Sequence, residues 1–295
     1  MRKFQIRGWF VLLAVVSLVG AACGAEPTTQ TPGTSETAEQ DLLARIQEDG
    51  VLRVATDQKY KPQSFYDTKD ETWKGFDVEV ATEIANRLGV DVDIQHHDWV
   101  TDVTAGSWND RYDMNVGSMT VTTEREELFD FTPAYYYTPA SVAIHEDNTT
   151  VQDIGTDLDG KKICVGGGTT YEQFLNKTLS IPGYTFDFTI DDAQIVPLET
   201  DTDALDQLSL GDGVRCDAAI TATPTIDQYI TDGGPIAGVG EALYGEPLAV
   251  AFDANSPIDN ASLVAAVSAI IDDMHADGTL SELSETWYGE DITVV

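Results

Sequence analysis

Positive charge is what this chain has least of. Sixteen Lys and Arg stand against 51 Asp and Glu in 295 residues, a formal net charge of -35. A surface that acidic repels phosphate backbones and anionic headgroups, which argues against a nucleic-acid partner. The acidity needs no more specific role than solubility, in a medium salty enough to screen self-repulsion. Histidine is almost as scarce. His96 and His97 are adjacent and would face opposite sides of a strand, while His145 and His275 have no His or Cys at ligand spacing. No metal site or cofactor is expected from such a set. Enzyme signatures are missing too: there is no Gly-x-Ser-x-Gly elbow and no His-Glu-x-x-His. Carboxylates, by contrast, are too numerous for a catalytic pair to be singled out.

Long apolar runs are also missing, except at the start. Arg2, Lys3 and Arg7 precede the short apolar stretch Trp9 to Val19, and the small residues Gly20, Ala21 and Ala22 lead to Cys23. Residues 1–22 thus read as a signal peptide rather than a spanning helix. A Cys at this place resembles the lipid-attachment site of bacterial lipoproteins, with Gly20 standing where a Leu is usual. Cys23 is the expected lipid anchor, and an extracytoplasmic, membrane-attached (or periplasmic) location follows. Residues 23–40, rich in Thr, Pro, Gly and acid without apolar period, read as a flexible tether. The two remaining cysteines, Cys164 and Cys216, suggest one disulfide in an exported chain rather than a metal site.

With 42% hydrophobic and 23% charged residues, the rest can bury a sizeable core. Leu52 to Ala55 reads as a strand. Phe76, Val80, Ile84 and Leu88 recur every four residues, with Ala81 and Ala85 beside them and Gly89 closing the helix. Val90 to Ile94 alternates as a strand does, and Asp113 to Gly117 is a further strand. The pattern restarts with a strand at Lys162 to Val165, a helix from about Thr169 to Lys177, a helix through Ala204, Leu205 and Leu208, and a buried strand at Ala218 to Ile220. Leu263, Val264, Val267, Ile270, Ile271 and Met274 form one long helical face. Strands alternating with helices predict an α/β fold with mostly parallel sheets, and the length suits two lobes.

Two places in this scheme favour an anion. Gly166-Gly167-Gly168-Thr169-Thr170 lies between a strand and a helix, where glycines admit close approach and helical N–H groups point outward. The same residues also make a tight turn with a Thr N-cap. The spacing is neither a P-loop nor a dinucleotide fingerprint. Gly117-Ser118-Met119-Thr120-Val121-Thr122, placed after a strand, is followed by Arg125, whose forked guanidinium suits a carboxylate. A surface pairing of Arg125 with Glu124 or Glu126 is the other reading. Tyr60 and Trp99 follow the first and second strands as possible walls. Asp57, in the turn after the first strand, either accepts from a ligand or caps its turn.

The segments LRVATDQKYKPQSF, WKGFDVEVATEIANRLGVDV and GSMTVTTEREELFDFTPAYYYTPA resemble the family 3 extracellular solute-binding proteins. GKKICVGGGTTYEQFL, YGEPLAVAF and HADGTLSELSETWYG extend the likeness in order from Asp41 to Gly289. The resemblance implies the two-lobed, type II periplasmic-binding-protein fold, its lobes joined by two hinge strands that close over a ligand. It places the first lobe at 41–136 and 247–295 and the second, with the hinges, at 137–246; the hinges fall near Tyr137 to Val142 and Leu243 to Leu248. It implies a monomeric receptor for a polar amino acid or related carboxylate, serving an ABC permease. By position, Arg125 would grip the ligand carboxylate with N–H groups of Thr120 and Thr170. Ser118 and the Thr120 hydroxyl would meet the α-ammonium, Tyr60 and Trp99 would pack on the side chain, and Asp57 would meet its polar end. Gly117, Gly168 and Thr169 complete the expected ligand set. Relatives with Cys at the positions of Cys164 and Cys216 imply that these two pair. One position departs from the pattern: Ala222 stands where many relatives carry the Asp that meets the ammonium, and Asp57 is the nearest substitute. A cyclohexadienyl-dehydratase-like enzyme and a ligand sensor are the alternative readings on the same fold.

Overall fold

The structure, a computed structural model, describes residues 41–294. The expectations for the signal segment, Cys23 and the tether lie outside those residues.

Asp41 opens the first helix, α1 (Leu42–Asp49), by accepting from the Ala44 N–H at 2.8 Å, and Gly50 closes it in the left-handed region at φ 73°. Strand β1 (Val51–Thr56) leads into a small antiparallel sheet of β2 (Lys59–Tyr60), β3 (Ser64–Asp67) and β4 (Thr72–Lys74). Helix α2 (Phe76–Leu88) buries the expected row of Phe76, Val80, Ala81, Ile84 and Ala85. After β5 (Asp91–His96) come one π-helical turn (Trp99–Val103) and β6 (Met114–Thr120). A 3-10 turn (Arg125–Glu127), β7 (Phe129–Phe131) and β8 (Tyr136–His145) follow. Next are α3 (Ile154–Asp157), β9 (Lys162–Gly166), α4 (Thr170–Leu175), β10 (Gln194–Leu198) and α5 (Asp201–Leu208). Then come β11 (Ala218–Ala222), α6 (Thr223–Thr231), β12 (Ile236–Asp253), α7 (Ala261–Ala276) and α8 (Thr279–Tyr288).

The main sheet runs β10-β9-β11-β8-β12-β6-β1-β5, with β7 also on β12. Its two ends are parallel groups: β10, β9 and β11 at one, β6, β1 and β5 at the other. Between them β8 and β12 are antiparallel to each other and to their outer neighbours. The expected α/β fold with mostly parallel strands is present, and this antiparallel pair carries the chain between its two ends.

Each parallel group has its own core. Leu52, Val54, Phe76, Ile84, Met114 and Leu263 pack with others around the first. Val142, Ile163, Val165, Phe174, Ile220 and their neighbours pack around the second. Strand β8 contributes Tyr136 to one core and Ala140, Val142 and Ile144 to the other. In β12, Leu248, Val250 and Phe252 serve the first while Val239 and Tyr244 lean on the second. The two cores are coupled along these two strands, and in sheets of this kind ligands sit where the parallel strands end.

One local expectation is corrected. The strand expected to end at Gly117 runs on through Ser118, Met119 and Thr120, which are the last part of β6 itself. Pairing with β12 at Met119 and Thr120 keeps the chain extended there, a tertiary contact that the local sequence does not show.

Cys164 on β9 and Cys216, just ahead of β11, form a disulfide with Cα atoms 5.8 Å apart, closing a sequence separation of 52 residues. In a chain-entropy treatment a loop of that size stabilises by about 4 kcal/mol. Replacing both residues by Ser is therefore expected to lower the urea unfolding free energy by about that amount. In protein lacking Cys23, titration of the unreduced, denatured chain is expected to detect no thiol, and two would refute the pairing.

Candidate ligand-binding site

The cleft begins with the guanidinium of Arg125. The 3-10 turn that carries it is pinned by the Arg125 N–H donating to Thr122 Oγ1 at 3.2 Å. Its side chain is buried and donates to carbonyl oxygens rather than to a carboxylate: Nη1 to Thr120 at 3.0 Å and Nη2 to Gly168 at 3.2 Å. The Trp99 ring lies 5.2 Å from the guanidinium carbon, a cation–π distance. Burial pushes the Arg125 pKa down, against the nearby Glu246 charge, and an arginine still keeps its proton. A guanidinium has five N–H donors, so two carbonyl bonds leave donors for a ligand. The surface pairing with Glu124 or Glu126 is not what the structure shows.

Around it stand Asp57, Tyr60, Trp99, Gly117, Ser118, Thr120, Thr169 and Thr170, joined by Gly166, Tyr171, Glu199, Thr200 and Asp201. The cavity they enclose measures about 50 Å³, which is room for only a few water-sized groups. A larger depression of about 480 Å³ lies between Lys61, Phe65, Gln228 and Tyr229, outside this cluster of buried polar groups. The smaller cavity is the better candidate, because several buried polar groups converge on it.

The Gly-Gly-Gly loop serves the site in a different way from the one expected. Gly168 sits at φ 67°, with Trp99, Val100 and Thr104 against the position a Cβ would take, so its backbone closes directly on the Trp99 turn. Its N–H is taken by Glu172 Oε2 at 2.7 Å, and the Thr169 hydroxyl caps the Glu172 N–H. Gly168 thus does not line the cavity; its carbonyl holds Arg125 instead. The Thr170 N–H is not among the amides so engaged.

Of the carboxyls here, the half-buried Asp57 and the buried Asp201 line the cavity, while the buried Glu246 and Asp77 stand behind it; only Asp57 was singled out from sequence. Asp57 accepts from the Lys59 N–H at 2.8 Å, and burial pushes its pKa up. Glu246 on β12 accepts from Thr120 Oγ1 at 2.8 Å and, at a shorter distance, from Thr170 Oγ1. Burial raises its pKa although both hydroxyls favour the charged form. Asp201, the first residue of α5, accepts from the Gly166 N–H at 3.1 Å, and burial pushes its pKa up to about 8. Behind Ser118 lies Asp77, with no exposed surface. It accepts from Ser118 Oγ and from Tyr135 OH, each at 2.7 Å, and Ser118 Oγ also meets Tyr136 OH at 2.5 Å. The Ser118 hydroxyl is thus engaged from behind, and its backbone is left-handed at φ 55°.

Sequence reasoning had signals for some of what it missed. Gly166 opens the Gly-Thr motif and Tyr171 directly follows it, and Glu199-Thr200-Asp201 sits at the same kind of strand-to-helix junction. Glu246 and Asp77 carried no signal. Ala222 is buried at the end of β11, opposite Ala140, and does not line the cavity. Among the described residues no group of His, Cys, Asp and Glu is arranged to hold a metal ion, and no helix is long and apolar enough to cross a membrane.

Residues 52–290 match the profile of the "Bacterial extracellular solute-binding proteins, family 3". The L-cystine-binding protein TcyA of Bacillus subtilis (strain 168) is 30% identical over 291 residues, 99% of each chain. The crystal structure of an ancestral amino acid-binding protein, AncCDT-1, a precursor of cyclohexadienyl dehydratase, superposes with a TM-score of 0.70. It is 28% identical and covers 83% of this chain and 99% of its own. An amino acid ABC transporter substrate-binding protein from Streptococcus pneumoniae bound to L-arginine also superposes at 0.70. It is 25% identical, covering 85% of this chain and 99% of its own.

Asp77 yields a prediction about stability. Burial, opposed by the Ser118 and Tyr135 hydrogen bonds, raises its pKa from 3.8 to about 7 in the folded protein. The stability conferred by the native proton is complete below the unfolded carboxyl's range and is lost as pH rises through about 7. The span sets an upper bound of about 4 kcal/mol. Asp77→Asn is expected to lose less melting temperature than wild type between about pH 4 and pH 7. Parallel curves would exclude this role for Asp77.

Proposed function

The chain belongs to family 3 of the bacterial extracellular solute-binding proteins, and from that membership we propose that it is the amino-acid receptor of an ABC importer. The observation that carries the reading is the Arg125 guanidinium, buried in the cleft on carbonyl oxygens alone and backed by Trp99. A cation desolvated in this way is strongly stabilised by a carboxylate that completes its fork. The Thr120 and Thr170 amides would share that carboxylate, with Tyr60 and Trp99 walling the ligand's side chain.

Capture would proceed by closure of two lobes, 41–136 with 247–295 on one side and 137–246 on the other. Strands β8 and β12 near Tyr137 to Val142 and Leu243 to Leu248 would bend as the hinges. The relatives' ligands, cystine and arginine, support an amino acid that is polar and not acidic. The protein is extracytoplasmic as its family is. Its attachment through a lipid on Cys23, its monomeric state and its lack of catalysis are part of the same reading.

A thermal-shift panel of amino acids and simple carboxylates tests it, since a ligand specific to the folded state raises the melting temperature by mass action. We expect a shift by at least one amino acid, recovered unchanged, and a loss of affinity of roughly a hundredfold or more in Arg125→Ala. Conversion of prephenate or arogenate by the protein would sink the reading in favour of an enzyme. For the anchor, Cys23→Ser is expected to shift the protein from the membrane fraction to the soluble extracytoplasmic fraction; wild-type and variant partitioning alike would refute it.

A further inference from the structure

The cavity beside Arg125 has an acidic wall that the carboxylate anchor leaves unexplained. Its lining places one guanidinium against Asp57, Glu199 and Asp201. These three are not equivalent. Glu199 is exposed, and Asp57 is partly exposed, with its carboxylate tied to the Lys59 N–H and in the field of Lys59 and His96. Asp201 is nine-tenths buried, and among the described residues no cation is paired with it. The charged groups that face it are Asp57 from the turn after β1 and Glu246 from β12, both acidic. The phenols of Tyr60, Tyr171 and Tyr244 share the same field.

The fold makes room for this carboxylate. A Cβ on Gly166 would stand 2.7 Å from Asp201 Oδ1, so a glycine is needed for the side chain to lie across the end of β9. The Gly166 N–H donates to Oδ1, and the Thr221 hydroxyl approaches without closing a hydrogen bond. Thr221 precedes Ala222 at the end of β11, so the Asp201 carboxylate reaches the same strand end at which Ala222 offers no charge. Glu246, the other deeply buried acid, is capped by two hydroxyls and does not line the cavity.

Resting on the amino-acid reading above, we propose that Asp201 receives the ligand's α-ammonium, opposite the Arg125 that receives its carboxylate. A buried carboxyl without a cation is expected to stay largely protonated near neutral pH, and a ligand ammonium would ionise it. Binding then releases a proton, and affinity rises with pH until the group ionises by itself near 8.

The test is a cycle by calorimetry on the mature protein. Wild type and Asp201→Asn are each titrated with L-arginine, L-glutamine and L-cystine, and with the counterparts of the first two that lack the α-amino group. Asn keeps the acceptor for the Gly166 N–H, so the loop is preserved. The expected result is a loss of roughly a hundredfold for the amino acid in Asp201→Asn, with a loss of less than about threefold for its counterpart. Proton release, read from the dependence of the heat on buffer, should vanish in the variant. Equal losses for both ligands, or unchanged proton release, would overturn the assignment alone. No binding of any of the three amino acids by wild type would overturn the amino-acid reading and the assignment with it.

Discussion

A guanidinium held between two backbone carbonyls is the constraint on which the site depends. Arg125 donates to Thr120 at the end of β6 and to Gly168 in the loop after β9. Those strands belong to the two separate parallel groups of the sheet. The side chain therefore measures the gap between them, and it fixes that gap only while it remains desolvated. Two neutral acceptors do not neutralise the charge, and Glu246, the acid that acts on it most, already accepts two hydroxyls. A buried cation in this condition costs several kcal/mol relative to water. That cost makes the closed arrangement favourable chiefly when something else completes the fork.

Much of the fold was legible, for identifiable reasons. The row Phe76, Val80, Ile84 gave α2 through its four-residue repeat. Arg125, the Gly-Thr loop, Tyr60, Trp99 and Asp57 stood out by residue type and place, while their separate roles, like the particular pairing of Cys164 with Cys216, came through family likeness. The strands β2, β3 and β4 were missed because two to four residues carry no usable period. Ser118 to Thr120 were read as lying past the strand because Ser and Thr carry no strand signal there, while pairing of Met119 and Thr120 with β12 decides the matter.

Asp77, Asp201 and Glu246 were missed for a different reason. In a chain with 51 acids, one more carboxylate carries no information until its burial is known. Burial here is set by distant segments: Asp77 by Tyr135 and Ser118, Asp201 by Gly166, Glu246 by Thr120 and Thr170. What distinguishes these three from the exposed majority is contact across 35 to 126 positions of sequence. No local pattern encodes that.

The scarcity of cations makes their placement informative. Arg45 and Arg53 clamp the buried Asp113 beneath the first core, a structural use. Lys59 and Lys61, from the β2 hairpin, instead reach Asp203 on α5 and Asp232 just past α6 at 3.4 and 3.2 Å. On the other flank Gln173 donates to Glu124 at 2.9 Å, and the Thr123 N–H donates to the Ser180 carbonyl at 2.9 Å. These contacts join elements of the two cores, and all of their side chains are exposed or partly so. Exposed ion pairs contribute about 0–1 kcal/mol each. A few such contacts can bias closure without locking it, so a ligand's differential affinity can still set the population. On the proposed reading of a receptor that closes on what it captures, weak rims around one costly buried charge would keep closure dependent on the ligand.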